Sequence, residues 1–158
     1  MTARFRRRGG VVTARFTSDE AAVLRQVAGE VLELLADPGE ATTDPVLARL
    51  FPDGYRDDSE AAAELRRLTE SSLRAGKVAN AEALLAGLPE GGGLVRLADD
   101  DAVDAWLRAI NDVRLTLGTR LGVTEERVIA DSEPYALVVY DWLGWLQETL
   151  VKSASAGR

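Results

Sequence analysis

Residues 3–20 read ARFRRRGGVVTARFTSDE. Gly9-Gly10 is a two-residue turn signal between two short β-prone runs, with Phe5 before it and Val11, Val12 and Phe16 after it. The stretch predicts a β-hairpin whose arginines alternate between faces or project at the edge, where charge discourages strand addition. Thr17-Ser18-Asp19-Glu20 then has the form of a capping box, with a hydroxyl at the start and a glutamate three residues on. A helix should follow at once. A hairpin running straight into a capped helix points to an α+β fold.

Working outward, Val23, Leu24, Val27, Val31, Leu34 and Leu35 recur at helical spacing until Asp37-Pro38-Gly39 ends the run. Asp44-Pro45 opens a short helix with Val46, Leu47, Leu50 and Phe51, and Pro52-Asp53-Gly54 turns the chain. Asp57, Asp58 or Ser59 caps a helix holding Leu65, Leu68 and Leu73. Gly76 should break or bend it before a second piece with Val78, Ala81, Leu84, Leu85 and Leu88. Leu94-Val95-Arg96-Leu97 is too short for a helix and reads as a strand. Its natural partner is the hairpin, since an isolated hairpin is marginal in water. Asp99, Asp100 and Asp101 open a helix carrying Val103, Trp106, Leu107, Ile110, Val113, Leu117 and Leu121, with Gly122 as its stop. Thr124-Glu125-Glu126 caps one more turn with Val128 and Ile129, and Ser132-Glu133-Pro134 starts a long last helix. The reading is a single domain over 1–158, ordered from about 3 to 152, with a fraying polar tail at 153–158. It holds five or six helices and a small antiparallel sheet, predominantly α-helical within the α+β class.

Composition narrows the chemistry. Hydrophobic residues make up 46% of 158, an ordinary globular share, and no apolar run approaches the roughly 20 residues of a membrane helix. The basic N-terminus is followed by no apolar segment of the signal-peptide kind, so a cytoplasmic protein is expected. The sequence has no cysteine and no histidine. That removes the thiol nucleophile, the disulfide, the usual general base and the usual zinc ligand. No catalytic residue, metal site or cofactor is assigned. Net charge is -7, yet residues 1–16 carry five arginines and no acid. The rest holds 14 basic and 26 acidic residues, an asymmetry that marks a directed surface.

The candidate partner-binding residues are therefore Arg4, Arg6, Arg7, Arg8 and Arg15. Arginine is favoured at interfaces. A protein partner is preferred over DNA, because the acidic remainder would repel phosphates. The aromatic residues Trp106, Tyr135, Trp142 and Trp145 form a core face or the face of a homodimer, since LVVYDWLGWL is apolar on more than one side. Gly91-Gly92-Gly93 reads as a flexible connector rather than a phosphate cradle. The cluster Asp99, Asp100, Asp101 and Asp104 reads as helix N-capping rather than a metal site. Two alternatives stand behind the protein-contact reading. One is a dimeric DNA-binding regulator; the other is a small-molecule-binding or hydrolytic domain using buried carboxylates, Asp141 foremost.

The order of these elements, with DPVLARLFPDGY, AWLRAINDVRLTLGTRLGVTEE and EPYALVVYDWLGWLQETLV, resembles an actinobacterial domain-of-unknown-function family. That family is typified by the oxidative-stress transcriptional regulator AosR. The resemblance spans about residues 3–152 and rests on packing motifs rather than catalytic ones. It implies transcriptional regulation through protein contact, with a sigma factor or RNA polymerase as partner. In the family, redox sensing is attributed to a cysteine pair near the N-terminus. This sequence departs there, because it has no cysteine.

Overall fold

In the computed structural model, which describes residues 1–36, 45–50, 60–121 and 134–156, the hairpin and the capped helix form as the sequence dictates. Strands β1 (Arg6–Arg8) and β2 (Val11–Phe16) pair antiparallel around Gly9 and Gly10. Both glycines have positive φ, at 58° and 82°. A tight two-residue hairpin requires that conformation, and glycine adopts it without strain. Strand β3 (Gly93–Leu97) adds to the far side of β2, giving the order β1-β2-β3.

The helices are α1 (Ser18–Ala36), the six-residue α2 (Pro45–Leu50), α3 (Glu60–Gly87), α4 (Asp100–Leu121) and α5 (Pro134–Ser155). This is an α+β fold, mostly helical, with a helix count at or just below the expected one. Gly76 is the reason. It lies inside one continuous 28-residue helix instead of dividing two, and the tertiary contacts of Arg74 and Lys77 on either side hold α3 together. Leu68 and Leu73 of α3 are exposed, although their spacing marked them as apolar contacts.

The core lies between the inner sheet face and α1, α4 and α5. Val12, Ala14, Phe16, Val95 and Leu97 alternate inward, as period-2 patterning requires. Phe5 and Phe16 meet Trp106 and Trp142 edge-on or tilted, with ring centroids 5.9–6.3 Å apart. Such geometry adds roughly 0.5–1.5 kcal/mol per pair beyond area burial.

In the tail expected to fray from 153, the helix runs to Ser155 and Ser153 is buried. Two expectations need correction. The Gly91-Gly92-Gly93 segment is no loose connector. A Cβ on Gly92 would sit 2.7 Å from the backbone of Thr17 and Ser18, so the turn packs against the β2–α1 junction. Trp142 and Trp145, three residues apart, do not share an environment: Trp142 is 5% exposed and Trp145 44%. The turn signals at 37–39 and 52–54, the caps at 57–59, 124–126 and 132–133, Gly122 and the turn at Val128 and Ile129 lie outside the described residues.

Candidate partner-binding surface

The capping box is where the site begins. Thr17 N–H donates to Glu20 Oε1 at 2.8 Å, and Glu20 N–H donates to Thr17 Oγ1 at 3.1 Å. The same carboxylate reaches further. Its Oε2 accepts the N–H groups of Thr2 at 2.7 Å and Ala3 at 2.8 Å, tying the chain start to the head of α1. Glu20 is 1% exposed. Burial pushes its carboxyl up, but the N–H groups of Thr17, Ala3 and Thr2 together outweigh that and hold it below the ordinary value of 4.5. Arg4 is thereby placed beside the hairpin at the edge of the sheet.

From there the register decides which arginines face water. On β1, Arg6 and Arg8 are exposed while Arg7 is half-buried. Arg6 sits opposite Thr13, and Thr13 sits opposite Arg96 of β3. Arg15 sits opposite Leu94. Val12, Ala14 and Phe16 point inward, so Thr13, Arg15, Arg6, Arg8, Leu94 and Arg96 share the outer face. With Arg4 at its margin this face carries five exposed guanidiniums, from Arg4, Arg6, Arg8, Arg15 and Arg96. Among the described residues none of the five has an ion-pair partner. Four of them line a shallow depression of about 790 Å³ together with Thr13 and Leu94.

Arg7 belongs elsewhere. Its Nε donates to the carbonyl of Ser153 at 2.9 Å and its Nη1 to the carbonyl of Gly10 at 3.1 Å. It joins β1 to the end of α5 and caps a C-terminal carbonyl of that helix, as a cation suits. Beside it, Phe5 N–H donates to Thr149 Oγ1 at 3.0 Å, so α5 covers the free edge of β1. Of the five hairpin arginines, four therefore share an outer surface and Arg7 is a structural tie. Sequence reasoning missed Arg96, whose signal was present: once 94–97 is a strand beside the hairpin, alternation sends Leu94 and Arg96 to one face.

The aromatic set divides in the same way. Trp106 and Trp142 are core; Tyr135 and Trp145 are exposed. The carboxylate alternative finds little support. Asp141 is exposed. The buried carboxylates among the described residues are Glu20 and Asp112, and each has its partners. Asp112 Oδ1 accepts from Lys77 Nζ at 2.7 Å across α3 and α4. Burial raises the Asp112 carboxyl above its ordinary value, and Lys77 offsets only part of that. Asp99 accepts the N–H of Ala102 at 2.8 Å, the capping role its position predicts.

The profile of the Domain of unknown function (DUF2017) family matches residues 1–154. The chain belongs to that family. Among its relatives, the oxidative stress regulator AosR of Mycobacterium tuberculosis is 34% identical over 168 aligned residues, covering 84% of this chain and 77% of the relative. The Mycobacterium bovis protein of that name matches equally. A putative oxidative stress regulator AosR of Mycobacterium leprae is 34% identical over 165 residues, covering 93% of this chain and 73% of the relative. No solved structure matches the chain. Within the DUF2017 family this chain lacks cysteine, so no thiol switch operates within it. Among the described residues no helix is long and apolar enough to cross a membrane.

Proposed function

We propose that this chain is a transcription-associated regulator that works by protein contact, docking an acidic partner surface on the outer arginine face of its sheet. The observation that carries the reading is the set of five exposed guanidiniums of Arg4, Arg6, Arg8, Arg15 and Arg96, without an ion-pair partner among the described residues, on a chain of net charge -7. Like charges gathered on one face repel in the free protein, by about 0.6 kcal/mol for a pair 7 Å apart in water. An acidic partner relieves that repulsion and is steered to the face during encounter. The names of the mycobacterial relatives support a regulatory role. A sigma factor or an RNA polymerase subunit is the partner the resemblance suggests. Because the chain has no cysteine, its docking does not depend on a thiol of its own.

The test is capture of partners by the tagged chain from its native lysate, read by mass spectrometry, with the triple variant Arg6→Glu, Arg8→Glu and Arg15→Glu in parallel. Enrichment of a sigma factor or polymerase subunit that the variant loses supports the reading. Equal capture by the variant removes the arginine face from it. A nuclease-sensitive capture that weakens steeply with salt replaces it with DNA binding.

A further inference from the structure

A second depression, of about 460 Å³, runs between β1 and the last turns of α5. Its floor is Phe5, Thr149 and Ser153, all buried. Arg4, Arg6, Arg7 and Lys152 stand along it, together with the half-exposed indole of Trp145. Among the described residues no carboxylate lines it, and the one acid among them bound to a lining cation is Glu148, 3.2 Å from Lys152 one helical turn away. That pair is exposed, and such pairs are worth little. Arg4 and Arg6 line both this groove and the depression on the outer sheet face. The two surfaces are therefore continuous around the edge of β1.

The geometry points to this groove as a docking site for an acidic polypeptide segment that carries an apolar side chain between its carboxylates. Charge complementarity sets the acidic part: among the described residues, four cations and no carboxylate face the groove. Trp145 sets the apolar part. An indole left 44% exposed at the wall, beside arginines, offers a flat apolar face to an incoming side chain. Tryptophan and arginine are also the residue types that dominate binding energy at protein interfaces. The rigid backing comes from the structure already described. Phe5 N–H is held by Thr149 and Arg7 by the Ser153 carbonyl, so β1 and α5 present the groove ready formed. A nucleic acid strand fits less well. Of the two aromatic residues that line it among the described residues, Phe5 is buried and Trp145 alone is exposed for stacking, and residues 17–158 are strongly acidic where a longer strand would have to track. The inference rests on the proposed docking function and names the chemistry of the segment bound.

The probe is a synthetic peptide with one phenylalanine between glutamates, titrated into the full chain. Controls are the same peptide with alanine for phenylalanine, one with lysines for glutamates, and a short oligothymidine. Trp145 is the exposed tryptophan, since Trp106 and Trp142 are buried, so iodide quenching reads the groove directly. In the free chain iodide should quench better than caesium, because the flanking cations concentrate an anion. The glutamate–phenylalanine peptide should bind and shield Trp145 from iodide. Its affinity should fall about tenfold in Trp145→Ala, and again in Arg4→Glu with Arg6→Glu. Unchanged affinity in Trp145→Ala, checked for folding by circular dichroism, overturns the inference. So does tighter binding of oligothymidine, or light scattering that shows a second copy of the chain covering Trp145. Arg8 and Arg15 do not line this groove. A cellular partner lost with Arg8→Glu and Arg15→Glu but kept with Trp145→Ala therefore sinks the groove alone. Peptide binding by a chain that captures no transcription protein sinks the regulator reading and keeps the groove.

Discussion

Glu20→Gln isolates the knot that sets the arginine face. The substitution keeps the shape of the side chain and removes its charge. In the native protein both carboxylate oxygens accept: Oε1 from Thr17 N–H, and Oε2 from Thr2 and Ala3 N–H. A glutamine has only one accepting atom. Whichever way its amide turns, an NH2 faces at least one backbone N–H, and the bonds that survive lose their charge assistance. Leaving one buried donor unsatisfied costs about 1–3 kcal/mol, and weakening the others adds roughly 1 kcal/mol. The expected loss is about 2–4 kcal/mol at pH 7. Urea unfolding followed by the emission of the buried Trp106 and Trp142 measures it as a fall in midpoint at unchanged slope. The pH dependence gives a second handle. The folded Glu20 carboxyl lies below its ordinary 4.5. Its contribution is therefore fully present above that value and is lost as pH falls through the folded one. The gap between wild type and Glu20→Gln should hold from pH 7 down to about 4.5 and close below it. A gap under about 0.5 kcal/mol at pH 7, or one that persists in acid, would refute the assignment of this carboxylate as the ionised tie.

Arg7→Ala should cost about 1–2 kcal/mol in the same unfolding assay, through loss of its bonds to Ser153 and Gly10, whereas Arg8→Ala should stay within about 0.5 kcal/mol. Gly92→Ala should destabilise by more than about 2 kcal/mol and shift the β2–α1 junction in amide spectra, because its Cβ has no room. Gly91→Ala, with positive φ but open space around it, should cost only about 1 kcal/mol. Lys77→Met leaves Asp112 buried without its cation, a loss of about 3–5 kcal/mol at neutral pH by unfolding. Asp112 already has a raised carboxyl, and losing Lys77 raises it further. Protonation then relieves the variant, so its deficit should shrink as pH falls towards the ordinary aspartate value.

Much of this fold could be read locally, because its decisive signals are short-range. Gly9-Gly10 can serve a tight hairpin since both positions need φ > 0, and Thr17 with Glu20 forms a reciprocal cap within three residues. The strand at 94–97 followed from its length and its need for a partner. What was not legible depended on contacts far apart in sequence. Gly76 reads as a breaker by propensity, yet tertiary packing carries α3 through it at a local cost of about 1 kcal/mol. Gly91-Gly92-Gly93 reads as slack, until the backbone of residues 16–18 is seen pressed against Gly92.

The arginines show the same limit at the site. By composition Arg4, Arg6, Arg7, Arg8 and Arg15 are one basic run, and nothing local separates Arg7 from its neighbours. The pleat separates them, by sending Arg7 to the side where α5 ends while Arg6 and Arg8 go outward. The same pleat recruits Arg96 from eighty residues away, opposite Thr13. A charge run in sequence thus becomes two different things in space: an outer face of cations without an ion-pair partner among the described residues, and a single cation that holds the edge strand to the helix whose Trp145 lines the adjoining groove. A partner that touches Arg4 and Arg6 is therefore in reach of both surfaces at once, which is why reversing either arginine should weaken an acidic ligand more than reversing Arg8 or Arg15. Equal losses at all four positions would place the whole contact on the sheet and none of it in the groove.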